Sequence, residues 1–171
     1  MISVAYCRQM ARYNAWQNGQ IEAGLIDVSL EDLTADHGAF FGSILGTLNH
    51  LLWADGMWMS RFDARIPRPE QGIKDSPGLC PTLGVWSAER FQLDGLITRW
   101  AEELHTIDLA GRMSFYSGVL EREVTRRIGA CVMHMFNHQT HHRGQVHAMM
   151  TRTGLQAPVT DLFLLPEEEE I

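Results

Sequence analysis

Apolar residues recur at helical spacing along most of the chain, and the points where that period breaks divide it into elements. Residues 3–25 read as a first helix, with Tyr13, Trp16 and Ala23 among its apolar positions. A connection over 26–35 leads to a second helix from about Asp36 to Phe62, with Thr34 or Asp36 as its N-cap. Ser87 is placed to cap a third, in which Leu93, Ile97, Trp100 and Leu104 recur at i, i+4, i+7 and i+11. Gly111 and Gly118 punctuate a β-prone segment, Met113 to Val124, read as a short hairpin. A fourth helix runs from about Arg126 to Thr153, with Gly154 as its C′ residue and Arg152 in its last turn. The prolines agree with this division. Four of the six lie between 67 and 81, and none falls in 1–66 or 82–157. The predicted architecture is all-α: a four-helix bundle with a long loop, 63–86, after helix 2 and a short hairpin before helix 4.

The second helix carries a further pattern. Phe41, Leu45, Leu48 and Leu52 lie on the side opposite His50, so it is apolar on two faces. A helix apolar nearly all round is buried all round, which in a small bundle points to a homodimer contact on that face, unless the first helix and the loop cover it.

Composition narrows the class. At 171 residues the chain is read as one domain, 1–171, with 45% hydrophobic and 20% charged residues. Its net charge of −7 argues against nucleic acid as a partner, because phosphate binding needs a basic face. Part of that acidity is the tail Glu167 to Glu170, expected to be a solvated, frayed end. No apolar run is long enough to span a membrane, and Met1-Ile-Ser-Val-Ala-Tyr has neither a basic n-region nor a long apolar stretch. Cys7, Cys80 and Cys131 are odd in number and widely spaced, which fits a reducing compartment; a cytoplasmic location is expected.

Histidine is the unusual component. Five of the eight, His134, His138, His141, His142 and His147, crowd into the fourth helix. On a helical wheel His142 lies about 40° from His138, and both share the apolar stripe with Cys131, Met135 and Met149. His134 and His141 fall toward its polar edge, and His147 about 180° away. An i, i+4 pair stacks two imidazoles on one face, close enough to share an ion. His134/His138, His138/His141 and His134/His141 also have ligand spacing. A third ligand has to come from another helix, and the second offers His50 and, at its start, His37. Around His50 stand mostly small residues, Ala39, Ser43, Gly46 and Ala54, which leave room for an ion and its waters. Cys131 shares the stripe but lies about 10 Å along the helix from His138, too far for the same ion, and reads as a buried small hydrophobe.

Other metal chemistries are excluded by what is missing. His138-Gln-Thr-His-His142 has Gln139 where a zinc protease needs its glutamate base. The helix carries no Glu-x-x-His of the di-iron type, and no P-loop, G-x-S-x-G or G-x-G-x-x-G occurs. Three imidazoles without a fourth protein ligand leave coordination positions open, the mark of a catalytic rather than a structural site. Imidazole suits zinc, nickel, iron or copper alike.

Several segments together resemble the DinB-like family of bacterial metal-binding four-helix proteins, which is itself similar to low-molecular-weight-thiol-dependent S-transferases. They are Tyr13-Asn-Ala-Trp16, the stretch Gly42 to His50 leading into Ala54-Asp55 and Trp58, and Phe136-Asn-His138-Gln-Thr-His-His142-Arg-Gly-Gln145-Val-His147. The ending Thr153-Gly154 to Pro158, with Asp161-Leu162, matches as well. The resemblance implies a metal triad of His50, His138 and His142, zinc or nickel as the divalent ion, and a homodimer. It implies a small-molecule substrate and, by way of the transferases, a low-molecular-weight thiol such as bacillithiol or mycothiol transferred to an electrophile. A metal-dependent hydrolase and a non-enzymatic metal-binding or stress-response bundle are the alternatives. Arg143 is expected to pair with another helix or a carboxylate such as Asp55, Gln145 to donate to a group outside the ligand set, and Tyr13, Trp16, Trp53 and Trp58 to be core or pocket walls, core first.

Overall fold

The computed structural model describes residues 2–167. It is mostly helical, with one small antiparallel sheet. The helices are α1 (Val4–Leu25), the short α2 (Leu30–Thr34), α3 (Ile44–Phe62), α4 (Leu83–Glu103) and α5 (Ile128–Arg152). Strands β1 (Arg112–Ser117) and β2 (Arg122–Arg127) form the hairpin ahead of α5. α1 packs on α4, and α3 packs on both α5 and α4. Leu48, Trp86, Ile97, Val132, Met135, Phe136 and Val146 fill the core between them. Among the described residues no helix is long and apolar enough to cross a membrane. Of the glutamate tail, Glu168 to Glu170 lie outside the described residues.

Local chemistry accounts for the helix ends. Ser3, Ser43 and Thr82 each accept a hydrogen bond from the backbone N–H three residues on, so α1, α3 and α4 begin with side-chain caps. α5 ends in a Schellman turn. Gly154 takes φ +78°, and Leu155 N–H donates to the Met150 carbonyl at 2.9 Å.

Three sequence expectations are corrected. The second long helix starts at Ile44, not near Asp36, because Gly38 and Gly42 both take positive φ and the chain turns through an Ala39–Gly42 bridge. The cap of α4 is Thr82; Ser87 lies inside the helix and its hydroxyl donates to Glu22. The Leu45, Leu48 and Leu52 face is no exposed contact surface, since all three are buried within this one chain. Phe41 is not on the helix but in the loop before it, turned toward His50.

The hairpin is where the pattern placed it, extended by a few residues. Along β1 the half-buried Met113, Phe115 and Ser117 alternate with exposed neighbours, and Phe115 pairs with the buried Val124 of β2. The sheet thus turns one face inward over the α3/α5 side of the molecule.

Candidate metal centre

His50 is in the second turn of α3, and His138 and His142 lie one turn apart on α5, the helix packed against it. Their Nε2 atoms converge. His138 Nε2 is 3.3 Å from His50 Nε2 and 3.1 Å from His142 Nε2. Three nitrogens each ~2.1 Å from a single ion stand about 3.0–3.4 Å apart in octahedral or tetrahedral geometry. The cluster could therefore hold a metal ion.

The outer ring nitrogens set the tautomers. Ser76 Oγ donates to the Ile73 carbonyl at 2.7 Å, so toward His50 Nδ1, 3.0 Å away, it can only accept. His142 Nδ1 meets Gln145 Oε1 at 2.7 Å, which also only accepts. Both rings thus carry their proton on Nδ1 and aim an Nε2 lone pair at His138. A proton on His138 Nε2 would answer one of those lone pairs and not the other, whereas a cation answers all three. These contacts are the support that metal-binding histidines require. His50 is further held by Phe41, stacked with ring centroids 3.7 Å apart, and by Trp53 at 5.8 Å.

The site keeps its histidines neutral. Burial, with the neighbouring His142, lowers His50 to about 4. Burial, followed by His142, His50 and other histidines, lowers His138 to about 3. Burial also lowers His142, against the opposing effect of the hydrogen bond it donates to Gln145. Neutral imidazole is the form that binds metal.

The triad borders an open cavity of about 1290 Å³, walled by α3, α5, the hairpin and the loop around Pro69 to Ile73. Trp53 and Trp58, read as core or pocket wall, both line this cavity, and Trp58 also packs against the core. His134 and His141 also line it but stand beside the triad: His134 packs edge-on to Trp58, and His141 lies against His142. His147 is exposed elsewhere, and His37 is in the loop before α3, where its carbonyl accepts from Arg152. Cys131 is buried in the cavity wall, its thiol held above the usual range by burial.

Arg143 points away from the cavity. Its guanidinium donates to Asn14 and Asn18 of α1, not to Asp55. Asp55 pairs instead with Arg90 at 2.6 Å, and Arg90 pairs with Asp94 at 2.7 Å. Asn14 and Asn18 donate to Asp94, which closes a buried network joining α1, α3, α4 and α5. Sequence reasoning missed Ser76 and this network. Ser76 sits in an aperiodic Asp-Ser-Pro-Gly turn with no pattern to mark it, and the network's members are separated by up to 129 positions.

A mostly helical protein with three inward imidazoles at an open cavity defines a class, and comparison with known proteins places the chain within it. The DinB family model matches residues 1–170, so the chain belongs to the DinB family. It is similar to "Protein DinB" of Bacillus subtilis (strain 168), at 24% identity over 91% of each chain. It is also similar in fold to a DinB-like protein from Bacillus cereus ATCC 10987 whose crystal structure is solved. There the TM-score is 0.63 at 19% identity, covering 85% of this chain and 91% of the other.

Proposed function

We propose that His50, His138 and His142 bind one divalent transition metal, zinc or nickel, through Nε2, and that the protein transfers a low-molecular-weight thiol to a small electrophile. The observation that carries this reading is the convergence of three Nε2 atoms, two with their Nδ1 protons held elsewhere, at an open cavity. A bound divalent ion would supply Lewis acidity, stripping the proton from a coordinated thiol or lowering the pKa of a coordinated water.

The chain's own residues do the rest. Ser76 and Gln145 hold two rings in the ligating tautomer. Phe41 and Trp53 cover the faces of His50, and the cavity admits a substrate larger than water. Among the described residues no carboxylate stands with the triad's hydrogen-bond partners to serve as a base, which favours a thiol, acidified by the ion, over water. Hydrolysis is the second reading, favoured by His134 and His141 at the cavity wall as proton acceptors. A non-enzymatic role for the ion is opposed by the size of that cavity.

The same reading takes the four long helices as a four-helix bundle and the chain as a homodimer. Three free, buried cysteines support a cytoplasmic setting. Elemental analysis of the native protein, then conjugation assays with several thiols and electrophiles, tests the function. One equivalent of zinc or nickel and metal-dependent conjugation are expected. Absence of bound metal would overturn it.

A further inference from the structure

Arg61 lies eleven residues after His50 on α3, so it returns to within about 20° of the same helix face, roughly 16 Å further along the axis. Its guanidinium lies over two adjoining rings of the cavity wall. The Arg61 Cζ is 4.6 Å from the centroid of Trp58 and 4.4 Å from that of Phe115. Those rings meet edge to face, 5.4 Å apart, one from α3 and one from β1. Such packing fixes the plane of the cation without using any of its N–H donors.

Four other arginines are committed to partners. Arg65 is tied to Asp63 and Glu103, Arg90 to Asp55 and Asp94, Arg143 to Asn14 and Asn18, and Arg8 to carbonyls of α4. Among the described residues Arg61 has no ion pair and no hydrogen bond, yet it is half-buried and lines the cavity. Arg68, likewise without an ion pair but exposed, and Arg126 line it too, and among the described residues Glu70 is the only carboxylate that does. The rest of the wall is largely apolar. A half-buried cation held rigid, with its donors unspent and excess positive charge around it, is built to receive a planar anion.

We propose that Arg61 is the specificity residue of the cavity, binding the carboxylate of an elongated ligand whose other end lies at the histidine cluster and whose apolar middle passes Trp58 and Met57. The proposal rests on the reading of this cavity as the ligand site. It adds the ligand class: an organic acid, carried either on the thiol or on the electrophile.

The test is binding, not turnover, and uses the protein with its native metal. Calorimetric titrations compare 8-phenyloctanoate with its amide, and 8-mercaptooctanoate with its amide. The acid of at least one pair should bind about ten- to a hundredfold tighter, the range of a charge-assisted hydrogen bond. R61Q should abolish that preference and leave amide affinity unchanged, while R99Q, at an exposed arginine of α4 outside the cavity, should keep it. The first pair preferring the acid assigns the carboxylate to the electrophile, the second to the thiol. Equal affinity of acid and amide in both pairs overturns the proposal. So does a preference that survives in R61Q, which would put the carboxylate on the metal. Should R61Q fail to fold by thermal melt, R61K replaces it: a preference reduced to a few-fold supports the proposal, and full preference overturns it. Because no reaction is measured, a protein without transferase activity can still pass, so the two readings fail separately.

Discussion

Two of the three imidazoles, His50 and His142, depend on a neighbour outside the cluster. Ser76 can only accept from His50, and Gln145 Oε1 can only accept from His142, so removing either frees a ring to flip or change tautomer. Partners of this kind are worth about ten- to a hundredfold in metal affinity. Ser76→Ala and Gln145→Ala should each weaken zinc binding by that amount in a chelator competition. His50→Ala, His138→Ala and His142→Ala should abolish stoichiometric binding, and His147→Ala should leave it unchanged. How much of this was legible beforehand differs by residue. Helical spacing brought out His138 and His142 because they share a helix, whereas His50 rested on the small residues around it and on the family resemblance. Gln145 was legible by its place on the His138 face, but as a donor to another group, whereas its Oε1 accepts from His142. Ser76 was not, because its contact is made by a loop whose path no periodicity describes.

At the scale of elements, the start of α3 decides where His50 points. A Cβ on Gly46 would stand 2.5 Å from the Phe41 carbonyl and 3.0 Å from Ser43 Oγ, so the loop and the helix cap touch it closely. Gly46→Ala must push the Phe41 backbone away and with it the ring stacked on His50. A loss of about 1–3 kcal/mol is expected from such overpacking, read by urea unfolding, together with weaker metal binding. The misplacement of this helix start has the same physical origin. Asp36 is a good capping residue by type, but the positive φ of Gly38 and Gly42 carries the chain through a turn first, leaving the cap to Ser43. The second apolar face of α3 was read correctly as buried and wrongly as a subunit contact. Composition says that a face is covered, not what covers it, and here the packing against α2, α4 and α5 lies within one chain.

For the whole molecule, two sets of buried polar groups act across the helices. The network of Asn14, Asn18, Asp55, Arg90, Asp94 and Arg143 joins all four long helices, and Asp55, Arg90 and Arg143 are almost fully shielded from water. Removing one partner leaves a charge buried without compensation, so Asp55→Ala should lose about 3–5 kcal/mol of stability in chemical denaturation. The histidine cluster contributes differently, through protons. His50 and His138 titrate in the folded chain at about 4 and about 3, and in the unfolded chain near the ordinary 6.5. Between those limits the unfolded state binds protons that the folded state excludes. Stability from this source is therefore complete above about pH 6.5 and is lost progressively as the pH falls toward 3. Carboxylates confuse the lower part of that range, but between pH 6.5 and 5 few of them titrate. In that interval the metal-free protein should take up about two or more protons on unfolding, seen as a melting temperature that falls with pH. A bound ion competes with the same protons, so the metal-loaded protein should lose its ion over the same descent. His138→Gln should flatten the slope by about one proton, because the replaced side chain titrates in neither state. A slope unchanged by that substitution would mean that His138 is not held neutral by the fold.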